Sequence, residues 1–396
     1  QGIVSSLDIA PTIIKYFKIP KAGFIGYPIE YSMSNNSAQY VGKLYNDTRV
    51  AFASRLIILK GFALLVIITL LIYAFLLLLF GADKCGIIYM LMVFFMFVPF
   101  SMLVEGLFRF SSLPGKIIFI VLISAFMTAT VYRFLKRPLN RVLAIASLNL
   151  SILIIDLLTG QNMQKYSILS YDPIVGARYY GIGNEYLGVL ISCSLIISNY
   201  LMHIDQRFKK PCIIVLCFIC LLTGLPWLGA NVGGVITAAA GFLIFMVLYY
   251  DPAIKKAFIY AAIGMVVSFS IVLVFNLLSE NFESHLGNMV YMIKSSGLEY
   301  AVNIISRKAA MSMKLIRYTI WSRVFIIILV TAVVLFVKPG NNNGKFFSPR
   351  ESTQALWISS LLSCVTAIIF NDSGIVTAAI LMLYVFMCSA ITYKGN

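Results

Sequence analysis

Residues 171–192, YDPIVGARYYGIGNEYLGVLIS, pass from a loop rich in Gly and Tyr into an apolar helix whose polar residues sit at the water end. Read as a helix from about Gly181, the stretch places Gly181, Glu185, Gly188 and Ser192 at spacings of four, three and four, on one face. That face is small and carries one carboxylate. Such a stripe belongs inside a membrane bundle, where small residues let a neighbouring helix approach and a carboxylate facing lipid is costly. Arg178, Asn184 and Glu185 form the first candidate site. The alternative is that Arg178 and Glu185 pair with each other, or with a distant partner, only to fix helix packing.

Composition extends this reading to the whole chain. Of 396 residues 60% are hydrophobic and 12% charged, and the mean hydropathy is +0.92, which excludes a soluble protein with a polar surface. The expected fold is an all-α polytopic membrane protein. Apolar runs able to cross roughly 30 Å of hydrocarbon lie near 56–81, 86–108, 116–135, 140–160, 183–202, 211–228, 231–250, 257–278, 321–338, 354–371 and 373–391, about eleven transmembrane helices. The pairs at 211–250 and 354–391 have tight turns that also suit broken or re-entrant pairs.

The net charge of +16 is assigned to membrane orientation rather than to nucleic acid. Basic residues cluster in four connections: Arg133, Lys136, Arg137 and Arg141; Arg207, Lys209 and Lys210; Lys255 and Lys256; Lys338, Lys345 and Arg350. All four fall on one side, which the positive-inside rule makes cytoplasmic. The chain is then expected in a plasma membrane with residues 1–53 outside and Asn396 inside. The seven Cys lie mostly in apolar runs, and Cys217 and Cys220 form a CxxC without a second pair. With two His, His203 and His285, a self-contained multi-His metal centre is excluded.

Residues 1–53 differ from the rest. Gly2 to Leu7 suggests a strand, followed by a helix with Asp8 as N-cap and Pro11 in its first turn, and then a Gly/Pro loop. Residues 31–53 suggest a linker or surface helix. The opening is expected to be a short α/β remnant of a larger domain upstream, because so short a piece does not fold alone. Domains of 1–53 and 54–396 follow. Gly2-Ile3-Val4, Asp8-Ile9-Ala10-Pro11-Thr12, an apolar helix and a Gly-Tyr-Pro turn together resemble the C-terminal end of alkaline-phosphatase-superfamily domains. The similarity covers about thirty residues. It implies a metal-dependent phosphoric-ester hydrolase or phosphotransferase whose nucleophile and two-metal ligands precede Gln1. A divalent metal, zinc or manganese, would belong to that missing domain, with no cofactor in this fragment, which by itself is expected to be inactive. GARYYGIGNE, ANVGG and NDSG resemble bacterial membrane proteins in which such a domain precedes many spans.

The loop 161–182, the turn from Pro226 to Gly234, the long loop 279–320 and the turn Asn371-Asp372-Ser373-Gly374 share the outer side in this topology. Asn231, Gly234, Ala238 and Gly241 lie on one helical face, and Asn371, Gly374 and Ala378 repeat the pattern. These are close-packing positions, or else Asn231 and Asp372 present polar groups to an anionic ligand; a cap is the better role for Asp372. Asp156, in DLLTG, is a second ionisable group near the outer end. From Leu298 to Thr319, Leu298, Val302, Ile305, Ala309 and Ile316 share one face and Asn303, Arg307, Lys314 and Arg317 another, as in an interfacial amphipathic helix. Its cations attract anionic head groups, or Arg307, Lys308 and Arg317 hold the phosphate of a lipid-linked substrate. His285 is a candidate acid or base, or simply a surface residue.

Three functions remain open at this point. The leading one is the membrane part of an extracytoplasmic phosphatase- or phosphotransferase-like enzyme of the cell envelope, acting on a phosphate-containing or lipid-linked head group with membrane lipids as partners. Eukaryotic ethanolamine-phosphate transferases are similar in domain order, by analogy only. The others are a transporter or flippase, and a polyprenyl-phosphate-linked glycan ligase. The expected substrate-binding set is Arg178, Tyr179, Asn184, Glu185, Asn231, His285, Arg307, Lys308, Arg317, Asn371 and Asp372.

Overall fold

A computed structural model describes residues 6–19, 28–31, 35–80, 85–170, 180–250, 310–337 and 351–393, together with isolated positions at 4, 33, 259, 263, 266, 267, 270, 274, 303 and 306. Among the described residues there is no β-strand. The helices are α1 (Ile9–Tyr16), α2 (Ser37–Phe80), α3 (Gly86–Phe108), α4 (Leu113–Phe134), α5 (Pro138–Leu158), α6 (Asn184–Ile204), α7 (Lys209–Gly224) and α8 (Val232–Tyr250). After them come α9 (Ala310–Tyr318), α10 (Ile320–Val337), α11 (Glu351–Phe370) and α12 (Gly374–Tyr393).

Eight of these are long and apolar enough to cross a membrane, and α9 with α10, bent by 73°, counts as a ninth. The chain is a polytopic α-helical membrane protein. Of the two other expected runs, 211–228 falls in α7, whose 16 residues span only about 24 Å; 257–278 lies largely outside the described residues.

The N-terminal segment departs from the sequence reading where it is described. Ser6–Asp8 forms a 3₁₀ turn rather than the end of a strand. Asp8 does occupy the N-cap of α1, but its side chain makes no capping bond. Instead the Thr12 hydroxyl donates to Asp8 O at 2.6 Å and accepts from Ile29 N at 2.8 Å. Residues 37–53 are the first part of α2, a single helix of 44 residues, about 66 Å long. That is twice the hydrocarbon thickness, so its N-terminal part stands beyond the bundle, mostly exposed.

The bundle is built around α12, whose apolar span is wholly buried by protein. It packs against α3, α5, α6, α10 and α11. Small residues make this possible. A Cβ on Gly188 of α6 would lie 2.7 Å from Thr377 O of α12, and one on Gly241 of α8 would run into Ser363 Oγ of α11. Dispersion and close packing hold helices together in lipid, so such approaches set the architecture.

Side-chain hydrogen bonds pin the interior at the middle of α3. Pro99 lies inside that helix, where it removes an N–H and loosens the local ladder. Asn149 of α5 and Tyr384 of α12 both donate to Met96 O, at 3.3 and 2.8 Å. Tyr186 of α6 donates to Pro99 O at 3.3 Å. Carbonyls of a Pro-interrupted helix are thus satisfied by three neighbouring helices, as an apolar medium requires.

Candidate functional site

Because the spans alternate in direction, one end of the bundle collects the C-termini of α3, α5, α7 and α11 and the N-termini of α4, α6, α8 and α12. The connections rich in Lys and Arg between α4 and α5 and between α6 and α7 lie at the opposite end.

The polar end is organised by the segment after α5. Asp156, in the last turn of that helix, accepts from Met163 N at 2.7 Å and from Gln164 N at 3.1 Å. A buried carboxylate thereby folds residues 160–170 back over the bundle. Gln161, in the left-handed region at φ 59°, then bridges two other segments. Its amide donates to Leu228 O at 2.9 Å and accepts from Gly181 N at 2.8 Å. Ser167 donates to Met102 O at 2.8 Å and lies 2.6 Å from the Tyr186 hydroxyl. Arg109 stacks over the Tyr166 ring at 3.7 Å. Burial raises the pKa of the Tyr166 phenol, and the Arg109 charge opposes that rise.

The expected face of α6 is corrected at its start. The helix begins at Asn184, and Gly181 stands outside it at φ 81°. A Cβ on Gly181 would lie 2.3 Å from Gly229 O, and the next residue's amide, Ile182 N, bonds to that oxygen at 2.7 Å. Gly181 therefore serves the contact between the α6 entry and the α7–α8 turn. Glu185 finds a distant partner: Arg55 of α2 binds its Oε1 at 2.7 Å and Ile168 O at 2.7 Å. The side chains of this pair are 17% and 14% exposed.

Asn231 caps α8, accepting from Gly234 N at 2.8 Å and donating to Ile182 O at 3.2 Å and Asn184 Oδ1 at 3.4 Å. Asn184 in turn donates to Ser373 Oγ, and its carbonyl accepts from Thr377 at 2.9 Å. Asn371 donates to Thr237 Oγ1 at 3.1 Å, and a Cβ on Gly233 would strike its side chain. The ANVGG and NDSG turns thus meet in a polar network, with Asn184 bonding both Asn231 and Ser373 while Asn371 bonds Thr237 of α8. Asp372 is exposed beside it.

One buried polar atom next to this network, Ser170 Oγ, has no hydrogen-bond partner among the described residues, while the Gln164 side chain bonds the Asp156 carboxylate. Ser170 Oγ lies 3.3 Å from where a Gly183 Cβ would be, and Glu185 Oε2 lies 3.7 Å from the same point. On the far side of Gly106, whose Cβ would meet Met163 O, Lys116 and Glu105 form a second ion pair at 2.5 Å, 2% and 0% exposed.

Of the expected binding residues, Asn184, Glu185, Asn231 and Asn371 come together, with Asp372 beside them. Arg317 is exposed on α9, away from that network. Arg178, Tyr179, His285, Arg307 and Lys308 lie outside the described residues. Arg55, Gln161, Gln164 and Ser170 are site residues that sequence reasoning missed. Among the described residues no three His, Cys, Asp or Glu side chains are grouped to hold a metal ion. Compared with known proteins, the chain matches no family model, no curated protein and no solved structure.

Proposed function

We propose that this chain is the membrane part of an extracytoplasmic phosphatase- or phosphotransferase-like enzyme acting on a lipid-linked, phosphate-containing head group. One observation carries the reading: three helix N-termini converge at one end of the bundle beside the buried, unpartnered hydroxyl of Ser170. Helix N-termini favour anions, and donors in a low-dielectric setting are costly to leave unbonded. A phosphate oxygen would meet both needs. Arg178 and Tyr179, shortly before α6 in the sequence, Arg307 and Lys308, shortly before α9, and His285 complete the proposed binding set. The positive-inside rule supports placing this end outside and the basic connections in the cytoplasm. The resemblance of residues 1–30 supports phosphoryl chemistry with zinc or manganese in a phosphatase-like domain.

A transporter or flippase is the second reading. It draws on the buried Lys116–Glu105 pair, the kind of intramembrane charge that lines ion and substrate paths.

The test uses full-length protein. Arg178→Ala and Ser170→Ala should keep the detergent melting temperature within a degree or two of wild type while losing binding of a polyprenyl-phosphate probe. Undiminished binding by both variants would refute the site, and unfolding of both would make these residues structural.

A further inference from the structure

The lateral surface formed by α2, α9 and α10 is separate from the polar network. α10 packs beside α2, with Phe62 and Trp321 rings 6.1 Å apart. Since α10 runs with the bundle, its 73° angle to α9 sets α9 across the bundle's end. On α9, Leu315 and Ile316 turn inward while Met313, Lys314, Arg317 and Tyr318 are exposed. Those four exposed residues share one side of the helix.

Arg323 lies one turn into α10 and is exposed, and so are Ile326, Val330 and Val333. These four fall on one helical face, at i, i+3, i+7 and i+10. The surface therefore has a cation at the top and an apolar ridge beneath it. Lys60, two residues before Phe62 on the neighbouring α2, is likewise exposed. The sequence holds no Asp or Glu from residue 300 to 350, and none of Lys60, Lys314, Arg317 and Arg323 forms an ion pair among the described residues. Unneutralised cations at the end of a span, directly above an apolar ridge, suit the anionic head group of a lipid whose chains lie along that ridge.

We infer that this surface docks an anionic glycerophospholipid of the bilayer. Its phosphate sits among Lys314, Arg317 and Arg323, and an acyl chain lies along Ile326, Val330 and Val333. Arg suits the bidentate phosphate contact. The apolar ridge selects a phospholipid over a soluble phosphate, which would leave that ridge without a complement. The site lies at the same end of the bundle as the preceding reading but uses none of Ser170, Asn184, Asn231 and Asn371, so the two fail separately.

The experiment is native mass spectrometry of the full chain released from nanodiscs of equal parts phosphatidylglycerol and phosphatidylcholine. Wild type should retain phosphatidylglycerol in excess. Lys314→Gln/Arg317→Gln/Arg323→Gln should fall to the bulk ratio with an unchanged detergent melting temperature, and Arg317→Lys/Arg323→Lys should keep most of the excess. As control, Lys136→Gln/Arg207→Gln at the opposite end should retain it fully. An even ratio in wild type, an undiminished excess in the triple variant, or an equal loss in the control overturns the proposal. If the triple variant misfolds, the charge-conserving variant still decides: loss of its excess with an intact fold also overturns it.

Discussion

Gly188→Ala tests whether close helix approach builds the bundle. The added Cβ would lie 2.7 Å from Thr377 O, about 0.7 Å short of ordinary contact, and 3.2 Å from Leu381 N. Both atoms are backbone of α12, which is packed on all sides and has little room to yield. Overpacking of this kind costs roughly 1–3 kcal/mol, while replacing Gly by Ala inside a helix returns about 1 kcal/mol. A net change of about 0–2 kcal/mol destabilising is expected against wild type, with larger losses for Gly188→Val. Gly61→Ala in α2 supplies the reference, since nothing lies within 4 Å of its Cβ, so the same propensity gain comes without a clash. The assay is thermal unfolding in detergent followed by size-exclusion chromatography. Gly188→Ala should melt several degrees below Gly61→Ala, which should melt at or above wild type. Equal melting of the two variants would refute the claim that α6 and α12 need a residue without a side chain at this crossing.

Lys116→Met or Glu105→Leu alone leaves a buried charge unpaired, at a cost of about 3–5 kcal/mol; the double variant should recover much of that loss in the same melting assay, and strict additivity would show that the pair is not coupled. For orientation, in a cysteine-free background a membrane-impermeant maleimide applied to intact cells should label Asn162→Cys, exposed at the polar end, and spare Arg207→Cys, whose side chain is 93% exposed at the other. The reverse pattern would invert the topology.

Much of the bundle was legible because its signals are local. The small face of α6 is readable from Glu185, Gly188 and Ser192, and the structure sets Gly188 against the α12 backbone. Of the amphipathic helix expected over 298–319, the part at 310–318 is described as α9, with Lys314 and Arg317 exposed and Ile316 packed inward; most of the rest lies outside the described residues. The partner of Glu185 was hidden for a simple reason. Arg55 is 130 residues away, and no spacing rule connects separate helices. Gln161, Gln164 and Ser167 did leave a trace, a polar side chain every third residue directly after a span, which is the pattern of a turn folded onto the bundle. Gly181 was misplaced because a helical period was extended through a residue whose positive φ ends it.

The central position of α12 has a consequence for biosynthesis. It follows every other described helix in the chain, yet it is the one that the others surround. The ribosome therefore delivers α3, α5, α6, α10 and α11 to the bilayer before the element that joins them exists. Until residues 374–393 arrive, Gly188 has no backbone to meet, and Tyr384 cannot close its bond to Met96 O. Assembly of the bundle is thus timed by the end of translation of this stretch rather than by its beginning.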